Sequence, residues 1–291
     1  MQVLPDVAGA RRWRASAPGP VGLVPTMGAL HAGHLALAAA ARERCATVVA
    51  SVFVNPLQFG PGEDLDSYPR DLPGDLDQLR RAGVDAVFTP TTEAFVPAGL
   101  TTTVSVAGLT ERFEGASRPG HFDGVATIVT KLLHVTWPDV ACFGEKDYQQ
   151  LAVIRRLVDD LDLPVEVVGV PIVRDPDGLA LSSRNVYLSA AERADALALS
   201  RALRTAAASW TGDADVARAT LHAALTSAPG VAVDYADVVD VATLVPLTGA
   251  GHTRGRALLA ARVGTTRLID NVLLARPSED AQPGDGELGG A

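Results

Sequence analysis

The sequence predicts an α/β protein: a doubly wound, mostly parallel sheet followed by a small C-terminal α+β domain. Three observations carry that expectation. Short apolar, β-branched runs alternate with helical segments through residues 21–173, the rhythm of βαβ units with right-handed crossovers. Polar and glycine-rich stretches gather where those runs end, at the sheet edge where open α/β folds bind ligands. After Arg174-Asp175-Pro176-Asp177-Gly178, a strong turn signal, the rhythm changes to two helices and then three strands.

Taken in order, Val21–Val24 reads as a buried strand, and the alanine-rich run Leu35–Ala41 as a helix. Thr47–Val54 is a second β-branched strand, and residues 61–70 are a Pro/Gly/Asp-rich loop. Asp75–Ala82 is helical and Val84–Phe88 a strand. Thr101–Val106 alternates like an exposed strand. From about Phe122 to Val135 the residues Val125, Ile128, Val129, Leu132 and Leu133 fall on one helical face. Strand Val140–Phe143, a helix to about Asp160 and strand Val165–Val173 complete this Rossmann-like domain, residues 1–173. In the second domain, residues 174–276, Ser189-Ala-Ala-Glu192 is a capping box that starts a helix to about Ala208. A further helix spans about Ala214–Ser227. Strands follow at Val231–Val239, Ala257–Val263 and Thr266–Leu273, the last two joined by a short Gly264 turn. Residues 277–291, rich in Pro, Gly and acidic groups, read as a disordered tail.

Composition narrows the function classes. With 47% hydrophobic and 20% charged residues, the 291-residue chain has the balance of a soluble globular protein. The formal charge of −9 and the lack of a long Lys/Arg run argue against nucleic acid as the main partner. No apolar run approaches the roughly 18 residues that cross a bilayer, and the arginines near the start are not followed by the apolar core of a secretory signal. A cytoplasmic location is the expectation. Cys45 and Cys142, the two cysteines, read as buried apolar side chains without a disulfide.

Three stretches carry chemistry. Pro25-Thr26-Met27-Gly28-Ala29-Leu30-His31-Ala32-Gly33-His34 joins a strand to a helix, aiming two imidazoles at a helix N-terminus, which favours anions and phosphates above all. Taken alone, two histidines three residues apart also suit a cap or, with a third ligand from elsewhere, zinc. Gly144-Glu145-Lys146-Asp147-Tyr148-Gln149-Gln150 repeats the strand-to-helix geometry with a lysine suited to phosphate oxygens; a solvated helix start is the plainer reading. Leu181-Ser182-Ser183-Arg184-Asn185 brings two hydroxyls and a guanidinium to the junction of the two domains, where an ordinary polar turn is the alternative.

Together with Phe53-Val54-Asn55-Pro56-Leu57-Gln58-Phe59, these stretches resemble the pantoate–β-alanine ligase family, within the HxGH nucleotidyltransferase-like superfamily, from about residue 20 to about 275. Leu181 stands where that family usually has methionine, an apolar exchange of similar volume. The resemblance implies a ligase of pantothenate biosynthesis: ATP and pantoate give pantoyl adenylate and pyrophosphate, and β-alanine then displaces AMP. It implies that His34 is the proton donor and that His31, Lys146 and Arg184 share the catalytic work on the phosphates. It places ATP against residues 27–34 (Met27, Gly28, Ala29, Leu30, His31, Ala32, Gly33 and His34), against Gly144, Glu145, Lys146 and Asp147, and against Val173, Leu181, Ser182, Ser183 and Arg184. Pantoate and β-alanine fall to Asn55, Gln58 and Gln150, whose neutral amides hold the acid without neutralising the nucleophile. ATP implies Mg²⁺, with Asp75 and Gln78 as the family's metal contacts, although Asp75 equally reads as a helix cap. A homodimer is implied as well. The rival readings are another HxGH-type nucleotidyltransferase, or a non-catalytic nucleotide- or zinc-binding protein.

Overall fold

Two sheets organise residues 1–276, the part of the chain described by the computed structural model; the tail expected at 277–291 lies outside the described residues. The first sheet holds β1 (Gln2–Leu4), β2 (Val21–Thr26), β3 (Thr47–Val52), β4 (Ala86–Phe88), β5 (Val140–Gly144) and β6 (Glu166–Val170). All run parallel, in the order β1-β4-β3-β2-β5-β6. The chain winds outward from β2 through β3 to β4, then returns to place β5 on the other side of β2. The direction of winding therefore reverses between β2 and β5, and that switch point is where such sheets open a crevice. Pro25 widens it. The β2–β5 ladder covers only Gly22↔Val140 and Leu23↔Ala141, and stops before Pro25, which has no N–H to donate.

Helices α1 (Val7–Ser16), α2 (Ala32–Arg44), α3 (Leu72–Arg81), α4 (Thr92–Phe95), α5 (Glu114–Ser117), α6 (His121–Thr136) and α7 (Tyr148–Asp160) connect these strands. On one sheet face, α6 and α7 bury Phe122, Val125, Leu132, Leu151 and Ile154 against Leu23, Val49 and Phe143. On the other, Leu37 and Ala41 of α2 and Leu79 of α3 cover Val24, Ala50 and Cys142. Cys45 and Cys142 are free thiols in that second layer, and burial pushes Cys142 up to about 11.

The second sheet is antiparallel, ordered β7 (Val231–Val239), β8 (Arg254–Val263) and β9 (Thr266–Ala275). The helices α8 (Ala190–Ala208) and α9 (Ala214–Thr226) pack Leu199, Leu203, Leu221 and Leu225 on it. The Ser189/Glu192 capping box opens α8, and Gly264 (φ 58°) turns β8 into β9.

Three local expectations are corrected. Thr101–Val106 joins neither sheet: Val104 donates its N–H to Thr127 Oγ1 of α6 at 2.9 Å, so a hydroxyl takes the bond a strand would supply. The strand expected to reach Val173 ends at Val170, because Pro171 cannot continue a ladder. Strand β1 and helix α1, the latter capped by Asp6, precede the first expected element.

Candidate functional site

After β2 the chain turns through two left-handed residues, Gly28 (φ 88°) and Ala29 (φ 50°), and enters α2 at His31. The two histidines then cap that helix reciprocally. His31 Nδ1 accepts the Gly33 N–H at 3.1 Å, and His34 Nδ1 accepts the His31 N–H at 3.3 Å. An Nδ1 that accepts cannot carry the proton, so each ring is a neutral imidazole with its hydrogen on Nε2. Burial, then the nearby Lys146 charge, lowers the His31 pKa; burial, then His31, pushes His34 down to about 3. At neutral pH the pair offers two N–H donors rather than two cations.

The same capping narrows what the helix N-terminus itself can give. Gly28 N–H goes to Thr26 Oγ1, Ala29 and Leu30 N–H to Asp75, and His34 N–H to the His31 carbonyl. Of the amides from Gly28 to His34, only that of Ala32 has no protein acceptor among the described residues. Asp75 and Thr26 therefore already hold the amides of residues 28–30, three of the residues that the resemblance places against ATP.

The turn after β3 aims Gln58. Asn55 caps the short 3₁₀ turn Pro56–Gln58, accepting the Leu57 N–H and donating to Gln58 Oε1 (2.9 Å) and the Gly124 carbonyl (3.1 Å). Buried to 2% exposure, Asn55 has both amide ends in use and orients Gln58 from its place in the cavity wall. Gln58 Nε2 is left as a donor beside Met27 Sδ, 3.2 Å away. Helix α6 packs so tightly on this turn that a Cβ on Gly124 would lie 2.2 Å from the Leu57 carbonyl oxygen.

Two residues that the sequence reading missed join here. His121 Nδ1 donates to the Gln58 carbonyl at 2.8 Å, and Arg118 donates to the same oxygen and, through two nitrogens, to Glu63. Burial, then Arg118, pushes the His121 pKa down to about 4. The partner of His121 lies 63 residues away in sequence, beyond the reach of any local pattern.

At the end of β5 the 3₁₀ turn Glu145–Asp147 leads into α7. Lys146 lines the cavity, with Asp147 as an ionic neighbour at 3.8 Å. Glu145 does not line it, contrary to expectation: its carboxylate meets Arg256 of β8 at 2.8 Å, a tie between the two sheets' domains. Asn271 of β9 clamps the same turn by donating to the Glu145 and Lys146 carbonyls. The paired glutamines separate cleanly. Gln149 is buried and bonded to Leu109, Arg112 and Glu114 backbone, while Gln150 reaches the cavity.

The third stretch closes the ring. Ser182 Oγ accepts the Arg184 N–H, and Leu181, Ser182, Ser183, Arg184 and Val173 all line the cavity. Arg184 is held by Asp64 of the 61–70 loop through bonds of 2.8 and 3.0 Å. Against the upward pull of burial, that guanidinium keeps the Asp64 carboxyl below its ordinary value.

The resulting cavity, about 240 Å³, lies at the β2/β5 switch point and gathers Met27, His31, His34, Gln58, Lys146 and Gln150. A second, of about 380 Å³, opens toward Arg267 and Asp270 of β9 and shares Arg118, Lys146, Gln150 and Arg184 with the first. Neither is lined by Asp75 or Gln78, and no group of three His, Cys, Asp or Glu among the described residues could hold a metal. Asp75 is 1% exposed with both oxygens bonded to amides, and the helix cap is Asp71, not Asp75. The side chains present do not fit a resident Mg²⁺ on Asp75 and Gln78.

A family model described as pantoate-beta-alanine ligase matches residues 2–273. The chain belongs to the pantoate–β-alanine ligase family. Pantothenate synthetase from Salinispora arenicola is 57% identical over 258 residues, covering 87% of this chain and 90% of that protein. The crystal structure of pantothenate synthetase from Thermus thermophilus superposes with a TM-score of 0.89 at 51% identity, over 95% of this chain and 100% of that one. Pantoate-beta-alanine ligase from Francisella tularensis, crystallised with beta-gamma ATP and beta-alanine, gives 0.78 at 33% identity, over 94% of this chain and 97% of that one. The family's fold, an α/β parallel sheet with a small antiparallel domain, is the one seen here.

Proposed function

We propose that this chain condenses pantoate with β-alanine at the expense of ATP, through a pantoyl adenylate. The pantoate carboxylate attacks the α-phosphorus and the bond to the β-phosphate oxygen breaks, releasing pyrophosphate. The β-alanine nitrogen, as free amine after losing a proton to water, then attacks the acyl carbon, the C–O bond to phosphate breaks to release AMP, and the nitrogen gives up a second proton to water as the amide forms. One observation carries this reading: two neutral imidazole donors, Lys146, and the amides of Gln58 and Gln150 converge on one cavity at the switch point.

In the first step, charge grows on the phosphoryl oxygens and the departing pyrophosphate, and donors already fixed in place are the largest available source of stabilisation. His31 and His34, locked by the backbone amides of Gly33 and His31 respectively, supply Nε2–H there; His34 meets the leaving side as a hydrogen-bond donor that need not be a cation. Lys146 adds a point charge, and Arg184 closes with Ser182 and Ser183 over the distal phosphates once it exchanges the Asp64 carboxylate for them. Gln58, fixed by Asn55, donates to pantoate without neutralising its carboxylate, and Gln150 takes the hydroxyls. Met27 and Val173 supply apolar walls toward substrate and adenine. The small domain, residues 174–276, covers the site and keeps water from the mixed anhydride. Mg²⁺ enters with ATP as part of the substrate. The location is cytoplasmic; among the described residues no helix is long and apolar enough to cross a membrane. The partner is a second copy of the chain, a homodimer that sedimentation would register.

Incubation with MgATP, pantoate and β-alanine tests the reading. AMP and pyrophosphate must appear only when pantoate is present; release without it, or none at all, removes the proposal. In His34→Ala, turnover should fall about 10²–10³-fold, as for one preorganised donor, with the fold retained.

A further inference from the structure

We infer that Asp75 is a positioning residue, which holds the catalytic histidine pair in place through the loop before it and ligates no metal. Its Oδ2 accepts the Ala29 N–H at 3.0 Å and its Oδ1 the Leu30 N–H at 2.8 Å, across 46 and 45 residues of sequence. The loop it holds is strained. Ala29 has φ 50°, where a Cβ crowds the carbonyl at a cost of roughly 1–2 kcal/mol. Gly28, at φ 88°, lies so close to the carboxylate that a Cβ would stand 2.8 Å from Oδ2. Two successive left-handed residues persist only where the surroundings fix them, and here a buried carboxylate does so. His31 follows directly, and His34 depends on His31 through the reciprocal cap, so α3 sets the direction of both Nε2–H donors.

The alternative, metal ligation, finds no room. Both carboxylate oxygens are committed, the side chain is 1% exposed, and neither Asp75 nor Gln78 faces a cavity. Gly74, beside Asp75, brings no ligating side chain and packs against its own helix cap: a Cβ there would lie 2.2 Å from Asp71 Oδ2.

Asp75→Asn keeps the volume but turns an NH₂ toward one of the two amides, leaving one buried N–H unbonded. The inference rests on the adenylate-forming reading, whose own failure would already show as an inactive unsubstituted chain. In the active enzyme, Asp75→Asn should lower kcat/KM for MgATP about 10- to 100-fold, as for a buried donor left without its acceptor. The free Mg²⁺ concentration for half-maximal rate should stay at the unsubstituted value. Adding Ala29→Gly, which removes the left-handed strain, should restore most of the loss; a lost metal ligand would not respond to glycine at that position. A tenfold rise in the Mg²⁺ requirement, an unchanged kcat/KM, or no rescue by Ala29→Gly overturns the inference. If Asp75→Asn alone does not fold, the double variant carries the test against Ala29→Gly alone. Equal Mg²⁺ requirements then support the inference and a raised one overturns it.

Discussion

Lowering the pH from 7.5 to 5.5 should destabilise this protein through two histidines that the fold keeps neutral. In the unfolded chain each titrates near 6.5, whereas burial holds His34 near 3 and His121 near 4 in the fold. The unfolded state therefore binds protons first, and stability falls as pH drops below 6.5, continuing until the folded-state values are reached. At pH 5.5 each histidine contributes a loss of RT ln(1 + 10), so the pair costs about 3 kcal/mol, a large part of a typical domain's stability. His34 keeps one edge open to cavity water, which makes that an upper figure. His31, also lowered, adds in the same direction, and Asp75, raised by burial, acts in the opposite one. The window avoids most carboxylate titration. Urea denaturation at both pH values gives the free-energy difference, and its pH slope gives the protons taken up on unfolding, about two. His34→Gln should remove about half of the effect. A difference below about 0.5 kcal/mol, with fewer than one proton taken up, would refute the reasoning that these rings are neutral and buried. Because His34 stays neutral throughout, the folded enzyme should show no kinetic inflection near 6.5 from this residue.

Two further outcomes follow from close packing and from charge. Gly124→Ala would drive a methyl into the Leu57 backbone, shifting the Gln58 turn; overpacking of this kind costs about 1–3 kcal/mol. The KM for pantoate should rise more than that for ATP, and equal changes would detach Gln58 from pantoate. Glu114 of α5 binds Arg267 of β9 through two 2.7 Å bonds and accepts the Tyr235 hydroxyl, so Glu114→Gln removes one charge of a half-buried pair. Arg267 keeps its Nε bond to Asp234, so a loss of about 1–3 kcal/mol is expected from the weakened charged hydrogen bonds, read as a lower melting temperature; no shift would mean that the link between the domains adds nothing.

Much of this molecule is legible in its sequence because the deciding forces are local. Apolar runs such as Val21–Val24 and Thr47–Val52 are buried on both faces of a parallel sheet, so their composition announces them. The capping box at Ser189, the turn at Gly264 and the face of α6 are likewise written within a few residues. The three motif stretches fall at the strand ends where the alternation of elements puts them, which is why the cavity could be anticipated. Tertiary structure alone decided how its groups are spent. Nothing in the order of residues says that Asp75 binds amides at 29 and 30, that Asn55 saturates itself on Gln58 and Gly124, or that Glu145 turns to Arg256. Those choices depend on groups 45 to 111 residues apart competing for one another in a space with little water. Local periodicity carries no information about that competition. The sequence alone determined most of the elements, the strand-end location of the site and its donor types; only packing determined which polar groups face the ligand and which hold their neighbours in place.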